Sequence, residues 1–203
     1  MLEQASWIDV TRARAFAYTQ EGHYFYCLTV AERTWVYDAT TSALVQASVW
    51  HERTSGDGAW RIRWYAEAYG NKYGLDYDGT IWRVATDVYT DDGDPIPWEF
   101  TIGPFTREAE NISCPRLTLV CETGSTTDLD ADPQVELSAS RDLGRTWYTK
   151  GSRSLGATGE YVRMINWRRN GNSPGATGFT FKFHGERDYE FSVMDVFAEL
   201  QPG

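Results

Sequence analysis

Apolar and polar residues alternate along most of this chain with a period of two, the spacing of a strand with one buried face. His23-Tyr24-Phe25-Tyr26-Cys27-Leu28-Thr29-Val30, Thr34-Trp35-Val36-Tyr37 and Ala43-Leu44-Val45-Gln46-Ala47-Ser48-Val49-Trp50 are strand-like runs, followed by residues 59–69, 73–77 and 80–84. Turn formers separate them: Glu21-Gly22, Asp38-Ala39-Thr40, Ser55-Gly56-Asp57-Gly58, Gly70-Asn71 and Asp78-Gly79. Almost no segment carries a helical period. Short antiparallel strands at this spacing belong to sandwiches, barrels or propellers.

A weak repeat is present. Trp35-Val36-Tyr37-Asp38 closes one set of strands, and Gly74-Leu75-Asp76-Tyr77-Asp78-Gly79-Thr80-Ile81-Trp82 marks an equivalent point in the next. A spacing of about 40 residues is that of propeller blades. Residues 1–105 hold about two such sets, fewer than a closed propeller needs. The expected class is all-β, with propeller-like antiparallel sheets in residues 1–105 and a β-sandwich in residues 106–203. The boundary is placed near Pro104 to Glu110, after the turn-rich Asp91-Asp92-Gly93-Asp94-Pro95-Ile96-Pro97 and the alternating Trp98-Glu99-Phe100-Thr101-Ile102.

Beyond that point the alternation sharpens. Leu117, Leu119 and Cys121 share a face, as do Val135, Leu137 and Ala139, and Phe179, Phe181 and Phe183. Phe191 and Val193 are odd-numbered, whereas Val196, Ala198 and Leu200 are even. A β-bulge at Met194-Asp195 would turn both sets inward. The expected core is Leu117, Leu119, Val135, Leu137, Trp147, Phe179, Phe181, Phe191 and Val193.

Nine Trp, twelve Tyr and nine Phe suit strands and a large buried area. The net charge of −10 argues against whole-protein attraction to nucleic acid or an anionic membrane. The charge is uneven. Residues 141–169 contain seven Lys or Arg against Asp142 and Glu160, a balance of +5, so the remainder carries −15. Cys27, Cys114 and Cys121 are odd in number and form no C-x-x-C, so they read as small buried hydrophobes in a reducing compartment. Cys114 and Cys121 differ in parity and would face opposite sides of a regular strand. No apolar run has the length of a membrane span, and MLEQASWIDV lacks the basic and apolar regions of a signal peptide.

Candidate chemistry is sparse. Ser140-Arg141-Asp142-Leu143-Gly144-Arg145-Thr146-Trp147 fits S-x-D-x-G-x-T-W, the Asp-box pattern of bacterial sialidases. Ser140 and Asp142 can bond backbone N–H groups, Gly144 accepts a positive φ, and Thr146 and Trp147 start a return strand. Every fixed position thus has a turn-forming role, so Asp142 is expected to build a hairpin rather than catalyse. Asp128-x-Asp130-x-Asp132 has Pro133 where a calcium loop needs Gly, and reads as a solvated loop. Asp87, Asp91, Asp92 and Asp94 read as turn formers. His23, His51 and His184 are scattered and fit no catalytic signature. The Gly-rich residues 171–178 lack a P-loop Lys. No catalytic, metal or cofactor site is expected. Arg153, Arg163, Arg168 and Arg169 form a candidate partner surface. Trp60, Trp64 and Tyr65 form a candidate aromatic platform for the alternative reading, a carbohydrate-binding or sialidase-like propeller fragment.

Two segments resemble the phage stabilisation family, the packaged-DNA stabilisation (tail hub) proteins of short-tailed bacteriophages. They are Asp76 to Gly93, DYDGTIWRVATDVYTDDG, and Pro133 to Gly171, PQVELSASRDLGRTWYTKGSRSLGATGEYVRMINWRRNG. The second is the more specific, with its turn-and-Trp hairpin, Leu155-Gly156, Gly159-Glu160-Tyr161 and Trp167-Arg168-Arg169. The chain departs from the family in having fewer acids and glycines in the hairpin and Gly- and Ser-rich sequence after Trp167. Family members also extend further on the N-terminal side, so the resemblance implies a C-terminal portion or a shortened relative. It further implies a non-enzymatic virion protein made in the bacterial host cytoplasm. Identical subunits would form a ring below the head-to-tail adaptor, close the tail channel around packaged DNA, and hold the tail spikes and the needle or plug. It implies no cofactor, no membrane, and contact with DNA only through a non-specific channel.

Overall fold

The computed structural model describes residues 10–41, 50–56, 58–107, 110–126, 128, 131–161 and 163–203. The chain divides into two compact units, residues 1–86 and 87–203. Part of the expected Ala43–Trp50 strand lies outside the described residues.

The first unit holds two antiparallel meanders. One runs in chain order through β1 (Arg14–Gln20), β2 (His23–Val30), β3 (Arg33–Asp38), β4 (Trp50–Ser55) and the short β5 (Gly58–Ala59). The other is β6 (Trp64–Ala68), β7 (Asn71–Leu75) and β8 (Ile81–Val84). Arg14 and Trp64, His23 and Asn71, and Arg33 and Ile81 open corresponding strands and lie 50, 48 and 48 residues apart. The repeat is therefore longer than the expected spacing. Trp35 corresponds to the strand of Trp82 rather than to the turn before it. Between the meanders, Tyr18, Cys27, Val36, Trp60 and Ile62 are buried, with Phe16, Phe25, Tyr65 and Trp82 packed around them.

Among its described residues the second unit has nine strands: β9 (Thr90–Asp91), β10 (Asp94–Phe105), β11 (Ile112–Cys121), β12 (Gln134–Ser140), β13 (Tyr148–Ser154), β14 (Ile165–Arg168), β15 (Asn172–Ser173), β16 (Phe179–Arg187) and β17 (Val193–Pro202). One sheet has the order β13-β12-β16-β10-β9. In the other, β17 pairs along β11 while β14 and β15 pair with β11 too. Because β17 occupies one side of β11 throughout, β14 and β15 share the opposite side. The two sheets face each other over a common apolar core, which makes this unit the expected β-sandwich.

The break between units falls earlier than Pro104–Glu110. Ile96 to Ile102 pair with β16 in continuous register from Ile96↔Arg187 to Ile102↔Phe181, and after an irregularity Phe105 pairs with Phe179. The turn-rich residues 91–97 lead into this strand and do not end a domain.

The core contains Leu117, Leu119, Val135, Leu137, Phe179, Phe181 and Phe183 as the alternation requires. The expected bulge is present: Val120 faces Asp195 and Cys121 faces Val193, so Met194 is the extra residue. Phe191, Val196, Ala198 and Leu200 accordingly pack against the core. Two expectations fail. Val193, beside the bulge, is exposed. Trp147 lies outside the core cluster, with the Lys182 ammonium 4.9 Å from its ring centre. Cys114 and Cys121 are both buried, as expected of small hydrophobes, and a register shift between Ser113 and Arg116, which makes β11 irregular, lets both face inward despite their parity. Burial pushes the Cys121 thiol up to about 11, and that of Cys27 up to about 12. Gly185 has a packing reason: a Cβ there would sit 2.6 Å from the Trp98 indole, its cross-strand partner.

Phe181→Ala removes a wholly buried ring between β10 and β12. The expected loss is about 3–5 kcal/mol of unfolding free energy, to be read from chemical denaturation.

Candidate functional site

The Asp142 hairpin joins β12 to β13, and its side chains are spent on the turn. The Ser140 hydroxyl accepts from Gly144 N–H at 2.8 Å and donates to Asp142 Oδ1 at 2.7 Å. Asp142 Oδ1 also accepts from Arg145 N–H at 3.0 Å and Thr146 N–H at 2.8 Å. Asp142 Oδ2 accepts from the Thr146 hydroxyl at 2.6 Å. Gly144 has φ +85°, the left-handed region that glycine enters without strain. The hydroxyl and N–H of Thr146, then the Ser140 hydroxyl, hold the Asp142 carboxyl at about 2. Four donors thus engage this carboxylate, three on Oδ1 and one on Oδ2.

The candidate arginines sit along one side of the sandwich, where edge strand β13 lies over edge strand β14. Arg153 Nε donates to the Asn166 carbonyl at 3.1 Å, and the Trp167 indole donates to the Gly151 carbonyl at 2.8 Å. These two bonds tie the sheets together. Arg163 precedes β14 and pairs with Glu160 at 2.7 Å. Arg168 ends β14 with an exposed side chain, and Arg169 follows it at φ 59°. The structure therefore sets all four on one edge, with Arg153 partly engaged in closing it. Burial, and then the nearby Arg141 guanidinium, lower the pKa of Lys150 on the same strand.

Trp60, Trp64 and Tyr65 do not make one platform. Trp60 is 5% exposed, stacked under the Arg53 guanidinium at 4.1 Å and packed against Phe16 and Tyr18. Trp64 and Tyr65 are neighbours on β6 and point to opposite faces. Tyr65 turns inward against Phe16 and Tyr18, and Trp64 is exposed. The aromatic row that does reach solvent is Tyr26, Tyr37 and Trp50, in register across β2, β3 and β4. The Tyr37 and Trp50 ring centres are 5.0 Å apart. Beside them Arg33 grips Glu52 through two bonds of 2.6 Å. Parity along each strand was legible in the sequence, but the register that aligns three strands was not.

Asp38 was read only as a turn former, and it does more. Its Oδ1 accepts from Thr40 and Thr41 N–H, both at 3.0 Å, which caps the start of the helical residues 39–41. Its Oδ2 accepts from the Thr41 hydroxyl and lies 2.8 Å from His23 Nδ1. Burial raises its pKa, but the Thr41 and His23 bonds outweigh that and hold it at about 2. This resembles a triad in composition only. Thr41 and His23 both bond the same carboxylate oxygen, so the histidine does not stand between acid and hydroxyl. Asp130 lies outside the described residues, and Asp132 accepts from Gln134 and from the Ser154 hydroxyl.

A family model described as bacteriophage P22 Gp10, β-sandwich, matches residues 97–199, half of the chain. No curated protein matches the chain.

Asp142→Ala should lower the melting temperature and abolish no activity. Its folded pKa is depressed, so its contribution is complete above the ordinary 3.8 and is lost as pH falls through about 2. The gap in melting temperature between parent and variant should be full at pH 7 and close over that window. Sialidase turnover present in the parent and absent from the variant would refute the assignment.

Proposed function

Because the chain belongs to the bacteriophage P22 Gp10 β-sandwich family, we propose that it is a structural protein of a phage tail. In this reading it is a head-to-tail hub subunit whose copies form a ring. That ring closes the tail channel over packaged DNA and docks the adaptor, tail spike and needle or plug proteins. The family match over the sandwich is the observation that carries the proposal.

Three features support it. The Asp-box-like hairpin, the one segment with an enzymatic precedent, is spent on turn geometry. A net charge of −10 repels DNA and suits a channel wall along which a polyanion slides. The meanders β1–β5 and β6–β8 have the strand connectivity of propeller blades and pack through an aromatic core. The Arg153, Arg163, Arg168 and Arg169 edge is the docking surface of the sandwich.

In purified virions the protein should be detected by mass spectrometry and located at the tail by cryo-electron microscopy. Particles lacking it should lose packaged DNA. Its absence from purified virions would overturn the proposal.

The row Tyr26, Tyr37 and Trp50 beside Arg33 and Glu52 favours a second reading, carbohydrate binding on flat rings with polar neighbours. Binding on a glycan array that disappears in Trp50→Ala would establish it.

A further inference from the structure

We propose that the sandwich unit binds a second copy of this chain edge to edge. The basic β13–β14 side of one copy would meet the acidic β10–β17 side of the next. This rests on the reading above only in that copies of the chain meet; it names the surfaces.

The argument begins with strand order. β13 and β10 lie three strand steps apart in one sheet, with only the two-residue β9 beyond β10. In the other sheet, β14 and β17 flank β11 on opposite sides. The bonds from Arg153 to Asn166 and from Trp167 to Gly151 align β13 with β14. Trp98 of β10 stacks on Phe191, just before β17, with ring centres 4.9 Å apart. The unit thus has two opposite sides, each made of one strand edge from each sheet.

These sides differ in charge. Residues 141–169 carry +5, and Asp132, which accepts from Ser154 of β13, brings one acid to that side. Residues 87–99 contain five acids and residues 188–203 contain four, with no Lys or Arg in either segment, a total of −9. Lys182 pairs with Glu99 and Arg116 with Glu199. Asp94, Asp188, Glu190 and Asp195 have exposed side chains. Each side also offers apolar surface. Tyr148, Tyr161 and Met164 are exposed in the basic segment. On the acidic side Trp98 and Phe191 are half-buried at the rim of the core. Apolar groups ringed by complementary charge are the makings of a specific contact. Complementary edges on opposite sides of one unit give a head-to-tail contact, which propagates into a closed ring or a filament.

The test is the native mass of the full chain against concentration and salt. One variant carries Arg163→Glu, Arg168→Glu and Arg169→Glu. The other carries Asp94→Lys, Glu190→Lys and Asp195→Lys. Circular dichroism and melting verify the fold of each, and the single reversals Arg168→Glu and Asp94→Lys replace a triple variant that does not fold. The parent should self-associate, and more weakly as salt rises. Each variant alone should associate at least about tenfold more weakly. Mixing the two should restore association, because the edge made acidic now meets the edge made basic. Variants that associate like the parent, a mixture that stays apart, or a parent monomeric at every concentration would each overturn the inference. Virion location is measured separately, so the failure of one proposal is distinguishable from the failure of the other.

Discussion

The second unit depends on the burial of one aromatic stripe. Phe179, Phe181 and Phe183 are wholly buried, and their strand β16 is the middle of its sheet, paired with β10 on one side and β12 on the other. Burying a ring of this size is worth about 1.5–3 kcal/mol relative to exposure. The Phe183 ring stacks on Phe100 at 4.9 Å and receives the edge of Trp167 at 5.7 Å. The stripe therefore joins neighbouring strands and both sheets.

With β16 at the centre, the sheet must end somewhere, and its ends shape the surface of the unit. Open strand edges invite pairing with other chains and are commonly blunted by charge, proline and bulges. Here β13 carries Lys150 and Arg153 and a register shift opposite Leu137 and Ser138, while β10 carries Pro95, Pro97 and Pro104. Blunting needs charge of either sign. Segregation by sign, basic on one side and acidic on the other, adds a directional property to the same edges.

Asp142 and Asp38 have one chemistry in two settings. Each is a carboxylate held at about 2 by hydroxyl and N–H donors, and each organises a turn after a strand. Carboxylates engaged in this way have no tendency to take up a proton near neutral pH. The threonine donors in both cases belong to the turn that the carboxylate organises.

What the sequence determined by itself is everything set by nearest neighbours. Period-two alternation identified the strands and the inward face of β16. The spacing of Ser140, Asp142, Gly144 and Thr146 specified the hairpin, because every bond in it spans at most four residues. The opposing parities of Phe191 and Val196 even revealed the bulge at Met194. What only the tertiary structure decided is everything that depends on a partner distant in sequence. The bulge near Pro115 that buries both Cys114 and Cys121 is visible only against β17. Trp147 looked like core but packs with Lys182, while Trp167, on the short alternating strand β14, lies in the core. Ile96 to Phe105 joined the second unit because β16 offered a matching register. Alternation specifies that a residue has an inside face; which inside, and against which neighbour, is decided by long-range pairing and packing energies.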